Sequence, residues 1–170
     1  MKYAGVGARR APPKALHDAE DLAIALGNRE HVLRTGAAQG MDQAFMRGCP
    51  PYLAEICRPW PSYEASFPDK EGWLQCHTDV HNDAYEIARA YHPNWANLSQ
   101  GVRKLMARNV YILLGPFLDD YVECVICWTP GGAITGGTGH TLRIAENYNI
   151  PVYNLGSPYV TPERILQEIC

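Results

Sequence analysis

The chain has 170 residues, close to the usual size of one domain, and 46% of them are hydrophobic, which is ordinary for a packed globular protein. Its net charge of −3 gives no general attraction to nucleic acid, although a local basic pocket remains compatible with it. No stretch approaches the ~20 apolar residues of a membrane helix, and the start lacks a signal-peptide pattern. We therefore expect a cytoplasmic protein with no membrane partner.

The first sixty residues alternate between short apolar runs and segments of helical periodicity. Residues 3–6 and 31–35 predict two strands. Between them, apolar side chains recur at helical spacing over residues 15–26, just after a proline pair that suits a helix start. Residues 41–45 predict a short helix, and residues 53–57 predict a third strand.

Residues 58–97 break this pattern with four prolines and three tryptophans. The segment predicts an insertion or a lid, with one helix over about residues 78–91. His77 and His81 are four residues apart and would share one face of that helix, an arrangement that can bind a metal ion. The surrounding histidine, cysteine and aspartate residues have no standard ligand spacing, so we predict no metal site.

Regular alternation returns in the second half of the chain. Residues 98–109 have helical spacing and residues 122–128 predict a buried strand. A helix over 141–148 and a strand over 150–155 follow, and Thr161 is expected to cap a last helix. Strands separated by helices predict an α/β fold, with a doubly wound, mainly parallel sheet covered by helices on both faces.

The chain has six cysteines, which we expect to be thiols in a reducing cytosol. Cys124 and Cys127 form a Cys-x-x-Cys pair, typical of redox or metal motifs. They lie in an apolar strand, however, where residues three apart point to opposite faces of the sheet. We therefore expect two buried thiols.

Two small-residue loops follow the first two predicted strands. Residues 5–10 contain two glycines followed by Arg9 and Arg10, but lack the third glycine of the dinucleotide fingerprint. This loop equally fits an ordinary strand-to-helix turn. Residues 35–42 bring a strand end to a helix start, where free N–H groups suit an anion. Asp42 there either caps the helix or accepts a hydrogen bond from a ribose hydroxyl.

The third loop, residues 128–141, carries the strongest signal in the sequence. It has five glycines within nine residues, between a buried strand and a helix. Glycine has an entropic cost, so such a run indicates close backbone approach, and bare N–H groups cradling a phosphate explain it. Thr135 and Thr138 add hydroxyl donors. Trp128, at the strand end, either stacks on a base or belongs to the core.

Residues 3–9, 33–42 and 136–139 together resemble the DNA-processing protein A side of the SLOG superfamily, which also contains the Lonely Guy phosphoribohydrolases. The resemblance covers residues 3–57 and 98–156 in order. It implies a Rossmann-like fold that binds nucleotides or nucleotide-derived ligands.

The resemblance also implies two different activities. Lonely Guy enzymes release a base from a nucleoside monophosphate, using a catalytic glutamate that follows a Pro-Gly-Gly-x-Gly-Thr motif. Here Thr141 occupies the glutamate position and the nearest carboxylate along the helix is Glu146, which counts against hydrolysis. DNA-processing protein A lacks that glutamate too; it binds single-stranded DNA and loads a recombinase. Its DNA contacts need a basic surface, so the acidic charge of this chain disfavours DNA as a partner.

We therefore expect a single Rossmann-like nucleotide-binding domain over residues 1–170, which binds a phosphorylated nucleotide-like small molecule without a further cofactor. Nucleotide N-glycosidase activity and single-stranded DNA binding are the alternatives, and the sequence leaves open whether the chain is an enzyme. A homo-oligomer is expected, because exposed faces of such small sheets often pair. Asp42 and Glu123 are the candidate catalytic acids or bases. The predicted ligand-binding residues are Gly5, Gly7, Ala8, Arg9, Thr35, Gly36, Ala37, Gly40, Asp42, Arg108, Trp128, Thr135, Gly136, Gly137, Thr138 and Gly139.

Overall fold

The computed structural model describes residues 1–64 and 81–169. The strands are β1 (Lys2–Gly7), β2 (Val32–Thr35), β3 (Ala54–Ile56), β4 (Cys124–Trp128) and β5 (Val152–Asn154). The helices are α1 (Pro13–Gly27), α2 (Met41–Gly48), α3 (His81–Ala90), α4 (Gln100–Leu114), α5 (Gly136–Asn147) and α6 (Pro162–Ile169). Within these described residues, short 3₁₀ turns lie at Pro51–Leu53, Trp95–Asn97 and Pro130–Gly132.

The five strands form one sheet in the order β3-β2-β1-β4-β5, and every neighbouring pair is parallel. The chain builds outward from β1 through β2 to β3, and then returns to the other side of β1 with β4 and β5. The strand order therefore reverses between β1 and β4. In such sheets ligands bind outside the carboxyl ends of the strands at this point.

Helices cover both faces of the sheet, so the predicted α/β, Rossmann-like, doubly wound fold is confirmed. One apolar core packs α1, α2 and α6 against the sheet, and the other packs α3, α4 and α5. β4 contributes alternate residues to the two cores, as a strand buried on both faces must. None of the helices within residues 1–64 and 81–169 is long and apolar enough to cross a membrane.

The Cys-x-x-Cys pair is divided between these two cores. Cys124 lies in the core beneath α1, α2 and α6, while Cys127 lies in the core beneath α3, α4 and α5. Burial raises the pKa of the Cys127 thiol to about 12, so this thiol keeps its proton at neutral pH. The sequence-based expectation of two buried thiols on opposite faces is confirmed.

Helix α3, in the described part of the 58–97 segment, packs into the core of the fold, which a lid would not do. α3 matches the helix predicted near residues 78–91, whose first three residues lie outside the described ranges. Ala84 and Ala88 on α3 are fully buried against the core formed with α4 and α5. His140 and Arg143 of α5 donate hydrogen bonds to carbonyl groups at and just beyond the end of α3.

Two predicted helix caps agree with the structure. Pro13 occupies the first turn of α1, where its missing N–H group needs no acceptor. The Thr161 hydroxyl accepts a hydrogen bond from the Arg164 N–H group at 3.3 Å, and α6 starts at the next residue.

Candidate functional site

A cavity of about 440 Å³ lies outside the carboxyl ends of β1 and β4, where the strand order reverses. Its walls come from the loop after β1, the loop after β2, one side of α4, the end of β4 and the first turns of α5. We call this cavity the cleft. Several predicted ligand residues line it: Gly7, Ala8, Arg9, Asp42, Arg108, Thr135, Gly136, Gly137 and Thr138. Others do not: Gly5, Thr35, Gly36, Ala37, Gly40, Trp128 and Gly139.

The third glycine-rich loop is shorter than predicted, because α5 begins at Gly136 rather than near Thr141. Glycine is a poor helix former and gives no apolar periodicity, so the first helical turn is hidden in the sequence. Thr135 is the N-cap residue, and its side chain makes no capping hydrogen bond within the described structure. The first N–H groups of α5 thus have no acceptor inside the helix and carry its positive dipole end.

Gly136 and Gly137 differ from most other glycines around the cleft, because the space beside them is open. A methyl group built on Gly136 would meet no atom within 4 Å, and on Gly137 it would meet only the end of Met106, at 3.8 Å. Gly136 also has a φ of +62°, which favours glycine. These two residues present bare backbone to the cleft.

The glycines of the first two loops serve packing within the chain. A Cβ atom on Gly5 would lie 2.7 Å from Leu33 and Phe45, and one on Gly7 would lie 2.6 Å from Met41. Both contacts show α2 pressed against β1. The corresponding space beside Gly36 is filled by Arg108, and that beside Gly40 by the backbone of the first loop. These four glycines are therefore required by packing within the chain, and their contact with a ligand stays a prediction.

Asp42 joins the first two loops. Its buried carboxylate accepts hydrogen bonds from the N–H groups of Gly7 (3.2 Å), Gly36 (3.2 Å) and Ala38 (3.4 Å). Burial raises the pKa of Asp42, while the nearby Arg108 and the three N–H groups favour its ionised form. The expectation that Asp42 caps its own helix is wrong, because Gly40 is the N-cap residue of α2.

Two arginines line the cleft. Arg108 of α4 is buried; its Nη1 donates to the Gly36 carbonyl and its Nε donates to the Asn109 side chain at 3.3 Å. Arg9 is exposed and donates from Nη2 to the Tyr63 hydroxyl at 3.1 Å. Neither forms a salt bridge with a carboxylate of the described residues. The charge of Arg9 is therefore available to an anion, whereas that of Arg108 also interacts with the nearby Asp42.

Asn109 and His140 form a buried link behind the cleft, which the sequence did not reveal. The Asn109 amide nitrogen lies 3.3 Å from His140 Nδ1 and 3.4 Å from the Gly137 carbonyl. His140 Nε2 lies 2.8 Å from the Ala88 carbonyl. Burial lowers the pKa of His140 to about 4, so the ring is neutral at pH 7 and Nε2–H donates while Nδ1 accepts.

A second buried pair holds the end of β4 beside the cleft. The Asn154 side-chain oxygen accepts hydrogen bonds from the N–H groups of Thr129 (3.1 Å) and Gly156 (3.0 Å). Its amide nitrogen donates to the Thr129 hydroxyl at 2.7 Å. This pair fixes the start of the Pro130–Gly132 turn. A polar residue at the end of a predicted strand is the only sequence signal for it.

Glu123 lies at the wrong end of the sheet for catalysis in the cleft. It immediately precedes β4 and accepts a hydrogen bond from the Lys2 N–H group at 3.0 Å. The five residues of β4 separate it from the carboxyl end of the strand by roughly 16 Å. The expected catalytic role of Glu123 is corrected by this placement.

Three other predicted ligand residues take structural positions. Trp128 packs against the core on the α1, α2 and α6 face, while its carbonyl accepts from the Ala8 N–H group at 3.0 Å. The buried Thr35 hydroxyl donates to the Gly5 carbonyl at 2.5 Å, linking β1 and β2. Ala37 is buried, with a φ of +61°. Of the two roles considered for Trp128, its position favours the core.

The metal alternative rests on residues that the structure describes only in part, since His77 lies outside the described ranges. Residues 1–64 and 81–169 contain no group of three or more histidine, cysteine, aspartate or glutamate side chains that could hold a metal ion. The ring of His81 contacts Tyr85, with centroids 4.5 Å apart.

No protein-family model matches this sequence, and no curated protein matches it. A search of solved structures finds DNA processing protein A from Helicobacter pylori, which was described for its single-stranded DNA binding mode. The two chains are 19% identical with a TM-score of 0.64, and the match covers 99% of this chain and 72% of that one. The fold is therefore similar to that of DNA processing protein A, in agreement with the resemblance noted in the sequence.

Proposed function

We propose that this chain binds a nucleotide in the cleft, with its phosphate on the first turn of α5. The open backbone at Gly136 and Gly137 carries this proposal. Free N–H groups and a positive dipole end favour a bound anion at such a helix start. Arg9 and Arg108 line the same cavity and add two positive charges without a carboxylate salt bridge in the described structure.

The shape and lining of the cleft support a ligand larger than a free phosphate. Its volume lies in the range typical of small-molecule sites. The apolar residues Val6, Leu105, Met106 and Ile112 also line it. A nucleoside monophosphate has a charged end and a flat, largely apolar base, which suits both parts of such a cavity.

The cleft supports binding more than N-glycosidic bond cleavage. Among the described residues that line it, Asp42 is the one carboxylate. Both of its oxygens accept hydrogen bonds from loop N–H groups, and only 3% of the residue is exposed. A carboxylate held in this way is poorly placed to take a proton from water or to approach a ribose.

Single-stranded DNA binding is the second candidate, and the similarity in fold to DNA processing protein A favours it. A DNA chain would present the same phosphate chemistry, but it would extend beyond the cleft. It would therefore also contact basic residues at the rim, such as the exposed Arg10.

Titration calorimetry on the full chain tests the proposal, with the four common nucleoside monophosphates, adenosine and inorganic phosphate. We expect at least one monophosphate to bind, adenosine to bind about tenfold more weakly than AMP or not at all, and phosphate to compete. Failure of every monophosphate and of phosphate to bind at millimolar concentration would refute the proposal.

Two adjacent arginines separate the nucleotide from the DNA candidate. Arg9 lines the cleft, whereas Arg10 is exposed and does not. Arg9→Gln and Arg10→Gln remove the same charge one residue apart. For a nucleotide in the cleft, we expect only Arg9→Gln to weaken binding. For an oligothymidine across the rim, both variants should weaken binding, and the affinity should fall steeply between 50 and 200 mM salt.

A further inference from the structure

Tyr63 contacts both arginines of the cleft. It lies in the turn that follows β3, at the start of the segment that the sequence marks as an insertion, and is 6% exposed. Its hydroxyl accepts a hydrogen bond from Arg9 Nη2 at 3.1 Å. Its ring centroid lies 5.5 Å from the guanidinium carbon of Arg108. One buried side chain thus joins the first loop to α4.

The partners of Tyr63 leave the arginines able to bind an anion. A phenol and an aromatic ring restrict a guanidinium without neutralising it, unlike a carboxylate. Arg9 donates one N–H group to Tyr63 and keeps its others, and Arg108 Nη2 makes no hydrogen bond with the described residues. Trp60 packs edge-to-face on Tyr63, with centroids 5.2 Å apart, and supports the ring.

We propose that Tyr63 is a positioning residue, which holds Arg9 and Arg108 in the orientation that receives the ligand's phosphate. The inference rests on the nucleotide-binding function proposed above. Arginine loses much rotamer freedom when it is fixed on a ligand. A residue that restricts both arginines before binding reduces that loss, and therefore strengthens binding without touching the ligand.

Tyr63→Phe isolates this role from packing. The phenylalanine ring keeps the contacts with Trp60 and Arg108, and removes only the hydroxyl that accepts from Arg9. We expect phosphate to bind about threefold to tenfold more weakly to this variant, the usual effect of losing one hydrogen bond. In an Arg9→Gln background, the same change should alter phosphate affinity less than twofold, because the partner is already absent.

Equal phosphate affinity of Tyr63→Phe and the unchanged chain would overturn the proposal. An equal loss of phosphate affinity on Tyr63→Phe with Arg9 and with Arg9→Gln would also overturn it, because a merely structural role of Tyr63 does not act through Arg9. Thermal unfolding of each variant checks that the fold is retained.

A ligand-free measurement keeps this inference separate from the proposed function. Phenylglyoxal modifies accessible arginines, and mass spectrometry gives the rate at each position. We expect Arg9 to react several-fold faster in Tyr63→Phe, with Arg108 unchanged, and both to react faster in Tyr63→Leu. If the unchanged chain bound neither phosphate nor any monophosphate, the nucleotide proposal would fail, and these rates would still show whether Tyr63 holds the arginines. Unchanged rates in both variants would refute that role.

Discussion

A single methyl group at Gly137 should raise stability and weaken ligand binding at the same time. Gly137 is the second residue of α5, does not have the positive φ of Gly136, and would place a Cβ atom 3.8 Å from Met106. Alanine is therefore tolerated by the fold, and it favours a helix over glycine by about 0.5–1 kcal/mol. For a domain of this size, the melting temperature should rise by roughly 1–4 °C.

The same methyl group would occupy open space beside the N–H groups proposed to hold the phosphate. We expect Gly137→Ala to weaken phosphate and monophosphate binding about tenfold or more, which corresponds to about 1.4 kcal/mol. Titration calorimetry measures the affinity, and differential scanning calorimetry measures the melting temperature on the same preparation.

Gly101 provides a closely matched control. It is the second residue of α4, it is exposed, and a Cβ atom there would meet nothing within 4 Å. Gly101 does not line the cleft. Gly101→Ala should therefore stabilise the chain by a similar amount and leave binding unchanged. If Gly137→Ala bound phosphate as tightly as Gly101→Ala, the ligand would not sit on the first turn of α5.

Three further predictions concern buried polar groups. Asp42→Asn replaces one acceptor oxygen with an N–H₂ group that faces backbone donors, and should lower the free energy of unfolding in urea by about 2–4 kcal/mol. A decrease below about 1 kcal/mol would contradict the inference that the Asp42 carboxylate holds the two loops together. The pKa of His140 falls to about 4 on folding, so the unfolded chain binds more protons between pH 6.5 and 4, and stability should drop by roughly 3 kcal/mol as pH falls through that window. His140→Gln should remove this decrease in stability at low pH. A variant whose stability depends on pH in the same way as that of the unchanged chain would contradict the prediction. Arg34 is fully buried and pairs with the partly exposed carboxylates of Glu55 and Asp120. Arg34→Met should therefore cost less free energy of unfolding than the double change Glu55→Gln with Asp120→Asn, which leaves the buried charge without a carboxylate partner; the reverse order in urea unfolding would refute this reasoning.

Most of the fold could be predicted because each element left a periodic signal. The apolar run at residues 122–128 contains β4, and the helical spacing at 98–109 overlaps α4. The start of α5 could not be found this way, since its first turn consists largely of glycines. Helix formation there depends on tertiary context, which local propensity does not report.

The candidate site could be predicted only in part, because a glycine in a sequence does not tell what fills the space beside it. Gly5 and Gly7 make room for α2, whereas Gly136 and Gly137 face an open cleft. Tyr63 lies in a segment without periodicity, so only the folded chain brings it to the arginines. The placement of Glu123, by contrast, could have been predicted from the sequence, because a residue at the start of a parallel strand lies at the amino edge of the sheet, away from ligands.

The polar groups of the cleft differ in whether they still have a free hydrogen-bond donor or acceptor for a ligand. Asp42 has both oxygens committed to backbone N–H groups, and Thr129 is bonded to Asn154. The first turn of α5 and the two arginines still have donors without a partner in the described structure. Donors of this kind bind an anion, but proton transfer to or from a sugar needs an acid or base that can reach it. The balance of committed acceptors and available donors is therefore the physical basis of the proposal that the cleft binds a nucleotide.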